Sequence, residues 1–297
     1  MNYLKRLIPR DKADKFGVSA TIFLLLLVTW NNLVKLNKTS NEYPTYSLTL
    51  LVVGLYVLFN VFANMYKAIS VDTTIYAINL PVQLMDGWRY CSACELNAPP
   101  RSNHCYTCDK CVLKRHNHCM FLGKCAGHRN LRFYLFFILY VWLGSVISNV
   151  INYDYYLNSL LQIGLKTLLI TFVPWLAFIL GMVGLIELAA IFANSVTLIL
   201  FFLVSLYGFI NFRMAFNGQT WFERSRGITA FKLSWRQNLL EVFGTNWFYA
   251  MLWPFAPLKL PSDGSRFRLA MVDYNSNSNE NSNQFAYEQN QLFRRKI

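Results

Sequence analysis

Every cysteine of this 297-residue chain lies between Cys91 and Cys125, and every histidine between His104 and His128. Cysteines scattered through a secreted domain build a disulfide framework. A single cluster mixed with histidine points instead to metal held on the reducing side of a membrane. The spacing is Cys91-x2-Cys94-x9-His104-Cys105-x2-Cys108-x2-Cys111-x6-His118-Cys119-x5-Cys125. Structural zinc takes four thiolate or imidazole ligands in a tetrahedron, and a C-x2-C pair supplies two of them from one tight turn. Seven cysteines and four histidines are too many for one ion and suit two. Three C-x2-C steps between Cys91 and Cys111 argue against ordinary buried thiols. Two ions use eight of the nine positions in the string, so one thiol is spare. A RING-type cross-brace, the mark of a ubiquitin ligase, would end in a further C-x2-C pair. None follows Cys111; Cys119 and Cys125 stand singly after His118, so one of them is free to react.

The rest of the chain is built for lipid. It is 55% hydrophobic and only 14% charged, where soluble domains carry about a quarter charged residues. The net charge of +13 does not imply nucleic acid, because cytoplasmic loops of membrane proteins gather Lys and Arg for topological reasons. Apolar runs at 17–34, 46–66, 131–152 and 189–210 are each long enough to cross ~30 Å of hydrocarbon as a helix. The first run begins late and lacks a small-residue cleavage pattern, so it reads as a span and not as a signal peptide.

These runs divide the chain into a basic N-terminus (1–16), a transmembrane hairpin (17–66), a polar Cys/His region (67–130), a second membrane region (131–212), an aromatic and basic membrane-associated stretch (213–270) and a polar tail (271–297) with no expected order. The fold class is therefore an α-helical polytopic membrane protein with about four transmembrane helices and a small cytosolic two-zinc domain between helices 2 and 3. Within the second region, 163–187 is apolar but broken by Pro174, Gly181 and Gly184. Positive residues flank the N-terminus, the Cys/His region and the segment after Arg213, which places all three in the cytoplasm. An even number of crossings then lies between, so 163–187 reads as re-entrant or interfacial. A fifth span is the alternative and would put the C-terminus on the other face. No internal repeat is apparent.

The run from Cys91 to Phe137 resembles the cysteine-rich domain of the DHHC protein S-acyltransferases. Every metal-ligand spacing agrees, as do Pro99-Pro100-Arg101-Ser102, Gly127-x-x-Asn130 and the aromatic span that follows. Thr220-Trp221-Phe222-Glu223 resembles the family's Thr-Thr-x-Glu motif, with Trp221 in place of the second Thr, and Asn238 with Val242–Trp247 resembles its C-terminal motif. The resemblance implies one zinc on Cys91, Cys94, His104 and Cys111, and another on Cys105, Cys108, His118 and Cys125. Cys119 is then the spare thiol, in the position of the acyl-accepting nucleophile. It further implies that Thr220, Glu223 and Asn238 support the site, against the plainer roles of helix capping and interfacial hydrogen bonding.

The family tetrad Asp-His-His-Cys reads here His116-Asn117-His118-Cys119. Asn cannot accept and return a proton at neutral pH, so the usual base is missing from its place. In one reading the pair is exchanged, with His116 as base and Asn117 orienting it, as Asn does in Cys-His-Asn sites. In the other the site is crippled and the protein is a zinc-bearing membrane adaptor. His128 is a third candidate base, with a solvated surface role as its plainer reading. Lys114, Arg115, Lys124 and Arg129 are expected to lower the Cys119 pKa.

The resulting expectation is an enzyme with a ping-pong cycle. A long-chain acyl-CoA, palmitoyl-CoA in the family, acylates Cys119, and the chain passes to cytosolic cysteines of membrane-associated proteins. Partners are thus acyl-CoA, such proteins and the bilayer, with no nucleic acid. The location implied by the family is the endoplasmic reticulum or Golgi, with both termini cytosolic.

Overall fold

The computed structural model describes residues 8–85, 87–161, 169–170, 173–257 and 259–269. Four of its helices are long and apolar enough to cross a membrane: α1 (Lys12–Thr39), α2 (Pro44–Ser70), α3 (Leu131–Ile151) and α6 (Leu185–Phe216). The helices α1, α2 and α6 each contain one of the apolar runs and extend well past it, while α3 covers 131–151 of the 131–152 run. Residues outside the apolar stretch can continue a helix as long as no breaker intervenes. The backbone starts α2 at Pro44, where a missing N–H costs nothing. Between α3 and α6 lie the short α4 (Tyr153–Leu161) and α5 (Pro174–Ile179). Six residues cannot span a bilayer, so α5 is no crossing by itself, and 185–187 belong to α6; 163–168 and 171–172 lie outside the described residues, as does the tail from 270 onward.

The chain divides into two compact units. One comprises Phe16–Ala63 and Phe136–Phe209. Its helices expose large apolar side chains such as Phe23, Leu26, Leu55, Phe202 and Phe209, as lipid-facing surfaces do. Inside, it is joined by amide and hydroxyl groups: Asn31 Nδ2 donates to Asn194 Oδ1 at 2.8 Å, and Ser148 Oγ and Asn152 Nδ2 both donate to Asn32 Oδ1 at 3.0 Å. Between apolar helices such bonds replace the hydrophobic driving force that lipid removes.

The other unit takes in Asn64–Leu135, the stretch ending at Lys15 and the chain from Ile210. At its centre are three antiparallel hairpins: β1 (Arg89–Cys91) with β2 (Leu96–Ala98), β3 (Asn103–Cys105) with β4 (Lys110–Val112), and β5 (Asn117–Cys119) with β6 (Lys124–Ala126). The register sets His104 opposite Cys111 and His118 opposite Cys125. Gly127 closes the last hairpin where no side chain fits: a Cβ there would lie 2.6 Å from Val112 Cγ1 and 2.7 Å from Leu113 O. Three short helices follow α6, namely α7 (Trp221–Ser225), α8 (Trp235–Phe243) and α9 (Trp247–Leu252).

Candidate active site and metal centres

Two clusters of four ligand atoms form in the hairpins: Cys91, Cys94, His104 and Cys111, and Cys105, Cys108, His118 and Cys125. In both, the four atoms lie within 4.8 Å of one another. A tetrahedral zinc with Zn–S of about 2.3 Å and Zn–N of about 2.0–2.1 Å requires S···S near ~3.8 Å and S···N near ~3.6 Å. In the second cluster His118 Nδ1 stands 3.6, 3.3 and 3.5 Å from the sulfurs of Cys105, Cys108 and Cys125, and the last two sulfurs are 3.7 Å apart. In the first, His104 Nδ1 stands 3.3 Å from Cys94 and 3.8 Å from Cys91. The donor sets fit zinc, and both histidines would bind through Nδ1.

The three hairpins repeat at a constant offset of 14 residues. Cys91, Cys105 and Cys119 correspond, as do His104 with His118 and Cys111 with Cys125. Each turn passes through a left-handed residue at the matching place, Glu95 (φ 54°), Asp109 (φ 53°) and Gly123 (φ 60°). This repeat was open to view in the sequence, and the expectation of no internal repeat is corrected here. It escapes notice because the third unit has Leu122 where the others have Cys94 and Cys108.

Cys119 is therefore the first position of a turn built to bind metal but lacking the second thiol. Its sulfur is buried, and burial raises its pKa, opposed by the backbone N–H groups of Leu122 and Phe121. The expected depression by neighbouring cations does not occur, and the reason is where those cations go. Lys114 is itself buried and pushed down to about 7, its ammonium facing the Phe267 ring. Arg115 donates to His104 O and Arg129 to Ala77 O, each at 3.2 Å. Lys124 lies across the strand pair from Cys119, and burial lowers its pKa too.

His116 and Asn117 do not form the expected pair. His116 Nε2 meets Asn211 Oδ1 at 2.8 Å, while Asn117 Nδ2 donates to Tyr134 Oη at 3.0 Å. The Trp221 indole N–H, a donor only, reaches the same Asn211 oxygen at 3.4 Å. The atom facing His116 is thus an acceptor, so Nε2 carries the proton and Nδ1 the lone pair. Nδ1 has no hydrogen-bond partner among the described residues. Burial lowers the His116 pKa to about 4, so the ring is neutral at pH 7. Asn211, 95 residues away, orients this histidine; the sequence reading missed it because nothing local marks it.

His128 is not a surface group. It is 2% exposed, bonds Ser262 O through Nε2 at 2.9 Å and packs edge-on against Phe267, and burial lowers its pKa to about 4. Thr220 and Glu223 form a capping box at the start of α7. Glu223 also accepts from Arg101 Nε and Nη2 at 2.6 and 2.7 Å, and Arg101 lies across the Phe231 ring. Burial raises the Glu223 pKa, but Arg101 outweighs it and the carboxyl stays ionised. Asn238 bridges Phe216 O, Leu233 O and Leu233 N. A Cβ on Gly218, at φ 64°, would collide with the Asn238 side chain.

Three spaced thiol hairpins between the second and third spanning helices define a class of membrane protein, and comparison with known sequences agrees. The model of the DHHC palmitoyltransferase family matches residues 84–228. A probable palmitoyltransferase ZDHHC24 of Danio rerio is 35% identical over 190 residues, 63% of this chain and 63% of that protein. Its counterparts in Rattus norvegicus and Homo sapiens are 32% and 30% identical over 221 residues, 73% of this chain and 78% of theirs. The chain belongs to the DHHC palmitoyltransferase family.

Proposed function

We propose that this protein is an S-acyltransferase with Cys119 as its nucleophile. The Cys119 sulfur attacks the thioester carbonyl of a long-chain acyl-CoA. The new S–C bond replaces the bond to CoA, which leaves as a thiol with the proton that Cys119 gave up. A substrate cysteine then takes the acyl group and Cys119 regains a proton. The observation that carries this reading is the third hairpin, which presents one unligated thiol and two backbone N–H groups in the turn geometry of its metal-binding neighbours. Zinc on the eight ligands Cys91, Cys94, His104, Cys111, Cys105, Cys108, His118 and Cys125 would hold that turn in place.

His116 is the proton acceptor in this proposal, neutral and oriented by Asn211, with Asn117 placed on the Cys119 face of β5 by strand alternation. Its low pKa makes it a weak base, which sets its contribution at the lower end of the 10²–10⁴-fold range. Basic residues flanking the hairpin unit support a cytosolic site, where membrane-associated proteins present cysteines; the endoplasmic reticulum or Golgi is the proposed location. The burial of Cys119 and the Asn at 117 favour a second reading, a two-metal membrane adaptor without turnover. Incubating purified protein with an alkynyl palmitoyl-CoA separates the two. Hydroxylamine-sensitive label on wild type and none on Cys119→Ala supports the enzyme. Wild type that holds both metals and takes no label establishes the adaptor. A His116→Ala variant that labels as fast as wild type removes His116 as base.

A further inference from the structure

The two metal clusters share ligand types and spacing, yet the far side of each histidine meets a different carboxylate. His118 Nε2 lies 3.0 and 3.1 Å from the two oxygens of Asp14. Asp14 is in the first turn of α1, buried, and 104 residues away in sequence. His104 Nε2 lies 3.9 Å from Asp109, whose side chain is 69% exposed. A metal-bound imidazole is an acceptor on the bound nitrogen only, so its other nitrogen keeps a proton and seeks an acceptor. Asp14 supplies one to His118 at hydrogen-bonding distance and out of water; Asp109 does not reach His104.

We infer that Asp14 is a positioning residue for the second metal, a buried carboxylate that fixes His118 with its Nδ1 toward Cys105, Cys108 and Cys125. The inference rests on the proposal that the clusters hold zinc. Partners of this kind are worth about 10–100-fold in metal affinity when removed. Among the described residues the first site has no equivalent, which makes Asp109 an internal control. The neighbouring Arg10–Asp109 contact, 3.5 Å and exposed at both ends, offers a second control that touches the same N-terminal stretch without touching His118.

The test measures metal loss thiol by thiol. Full-length protein purified in detergent is challenged with excess chelator and N-ethylmaleimide, and alkylated peptides are resolved by mass spectrometry. In Asp14→Ala, Cys105, Cys108 and Cys125 are expected to become alkylated about 10–100-fold sooner than in wild type, while Cys91, Cys94 and Cys111 keep their wild-type rate. Asp14→Asn, which keeps an acceptor but loses the charge, should fall between. Asp109→Asn and Arg10→Ala should match wild type at all six thiols. Wild-type protection of Cys105, Cys108 and Cys125 in Asp14→Ala overturns the inference, and so does equal loss at both sites, which reports general unfolding. Wild-type protein carrying fewer than two ions overturns the metal reading itself.

Discussion

Residues 103–112 and 117–126 make the same hairpin, but their turns do opposite things. In the first, His104 and Cys111 face back to one metal cluster while Cys105 and Cys108 face forward to the next. In the second, His118 and Cys125 face back in the same way, yet no fourth hairpin follows to complete a third cluster. The chain enters α3 at Leu131 instead. Leu122 then fills the place of the second thiol as a buried side chain, and Cys119 is left with the backbone N–H donors of such a turn and no ion. A thiol outside both candidate metal clusters is left where the repeat ends one unit early. The hairpins also differ in what holds them. The middle one has candidate metal ligands for both clusters, His104 and Cys111 for one and Cys105 and Cys108 for the other. The last carries His118 and Cys125 for one cluster only and leans also on side-chain hydrogen bonds, with Asn130 bonded to Ala68 O at 2.8 Å, Cys125 O at 3.0 Å and Gly127 N at 2.8 Å.

The largest effects should come from breaking this division at its two thiols. Cys108→Ala is expected to lose one of two metals, destabilise the hairpin unit and abolish acyl labelling, because His118 and Cys125 are freed along with the ion. Cys119→Ala should abolish labelling equally and leave two metals in place. Metal analysis beside labelling reads both, and any zinc loss in Cys119→Ala would show that the last turn is not metal-free.

Next in size is the anchor of the last hairpin. Asn130→Ala strips partners from two carbonyls and one N–H that water does not reach, at about 1–3 kcal/mol for each buried group left unsatisfied. A net loss of about 3 kcal/mol in unfolding free energy is expected, with labelling reduced and metal content still two. Thermal denaturation in detergent checks the first, and loss of a metal would show that the last two hairpins stand or fall together.

How much of this the sequence could disclose depended on distance along the chain. The four apolar runs and the Cys/His spacing are local patterns, and the structure forms four helices long and apolar enough to cross a membrane and gathers the eight residues into two clusters that could hold metal. The partners that tune the site are not local. Asp14 reaches His118 across 104 residues, Asn211 reaches His116 across 95 and Glu223 reaches Arg101 across 122. Asp14 and Asn211 are common residue types in unremarkable settings, and only tertiary packing gives them a role; Glu223 and Arg101 stand in motifs of the family resemblance, but nothing in the sequence pairs them. The cations near Cys119 misled for the same reason: Lys114 is five residues away in sequence, but its ammonium faces Phe267.

A smaller effect concerns acid. His128 is bonded through Nε2 to Ser262 O and held neutral by burial, with a pKa near 4 against an ordinary value near 6.5. A histidine depressed in the folded state binds its proton better unfolded, so its contribution to stability is complete above about pH 6.5 and is lost as pH falls toward 4. His128→Gln should remove about 1 kcal/mol of the stability difference between pH 7 and pH 5.5. Denaturation midpoints at the two pH values, compared with wild type, measure it. An unchanged difference would mean that the ring is accessible to protons in the folded state.

The smallest net change is expected from the substitution that alters the tetrad most. Replacing both residues at once, His116→Asp with Asn117→His, restores the family pair while leaving His118 and Cys119 alone. The surroundings suit it. Position 116 looks onto the Asn211 side chain, and the Asn211 amide can turn to present its NH₂ to a carboxylate. Position 117 shares a strand face with Cys119, two residues on, so an imidazole there is better placed for the thiol than one at 116. It also keeps Tyr134 Oη within reach, now as the partner of a ring nitrogen. A base near its ordinary pKa near 6.5 in place of one near 4 favours proton transfer at pH 7. Set against that is the cost of burying a carboxylate where a neutral ring stood. Cys119 labelling in the double variant should therefore equal or exceed wild type by a few-fold, whereas His116→Asp alone, which supplies no base, should fall with His116→Ala. Label on the double variant but none on wild type would make the natural protein the adaptor and locate its silence in these two residues.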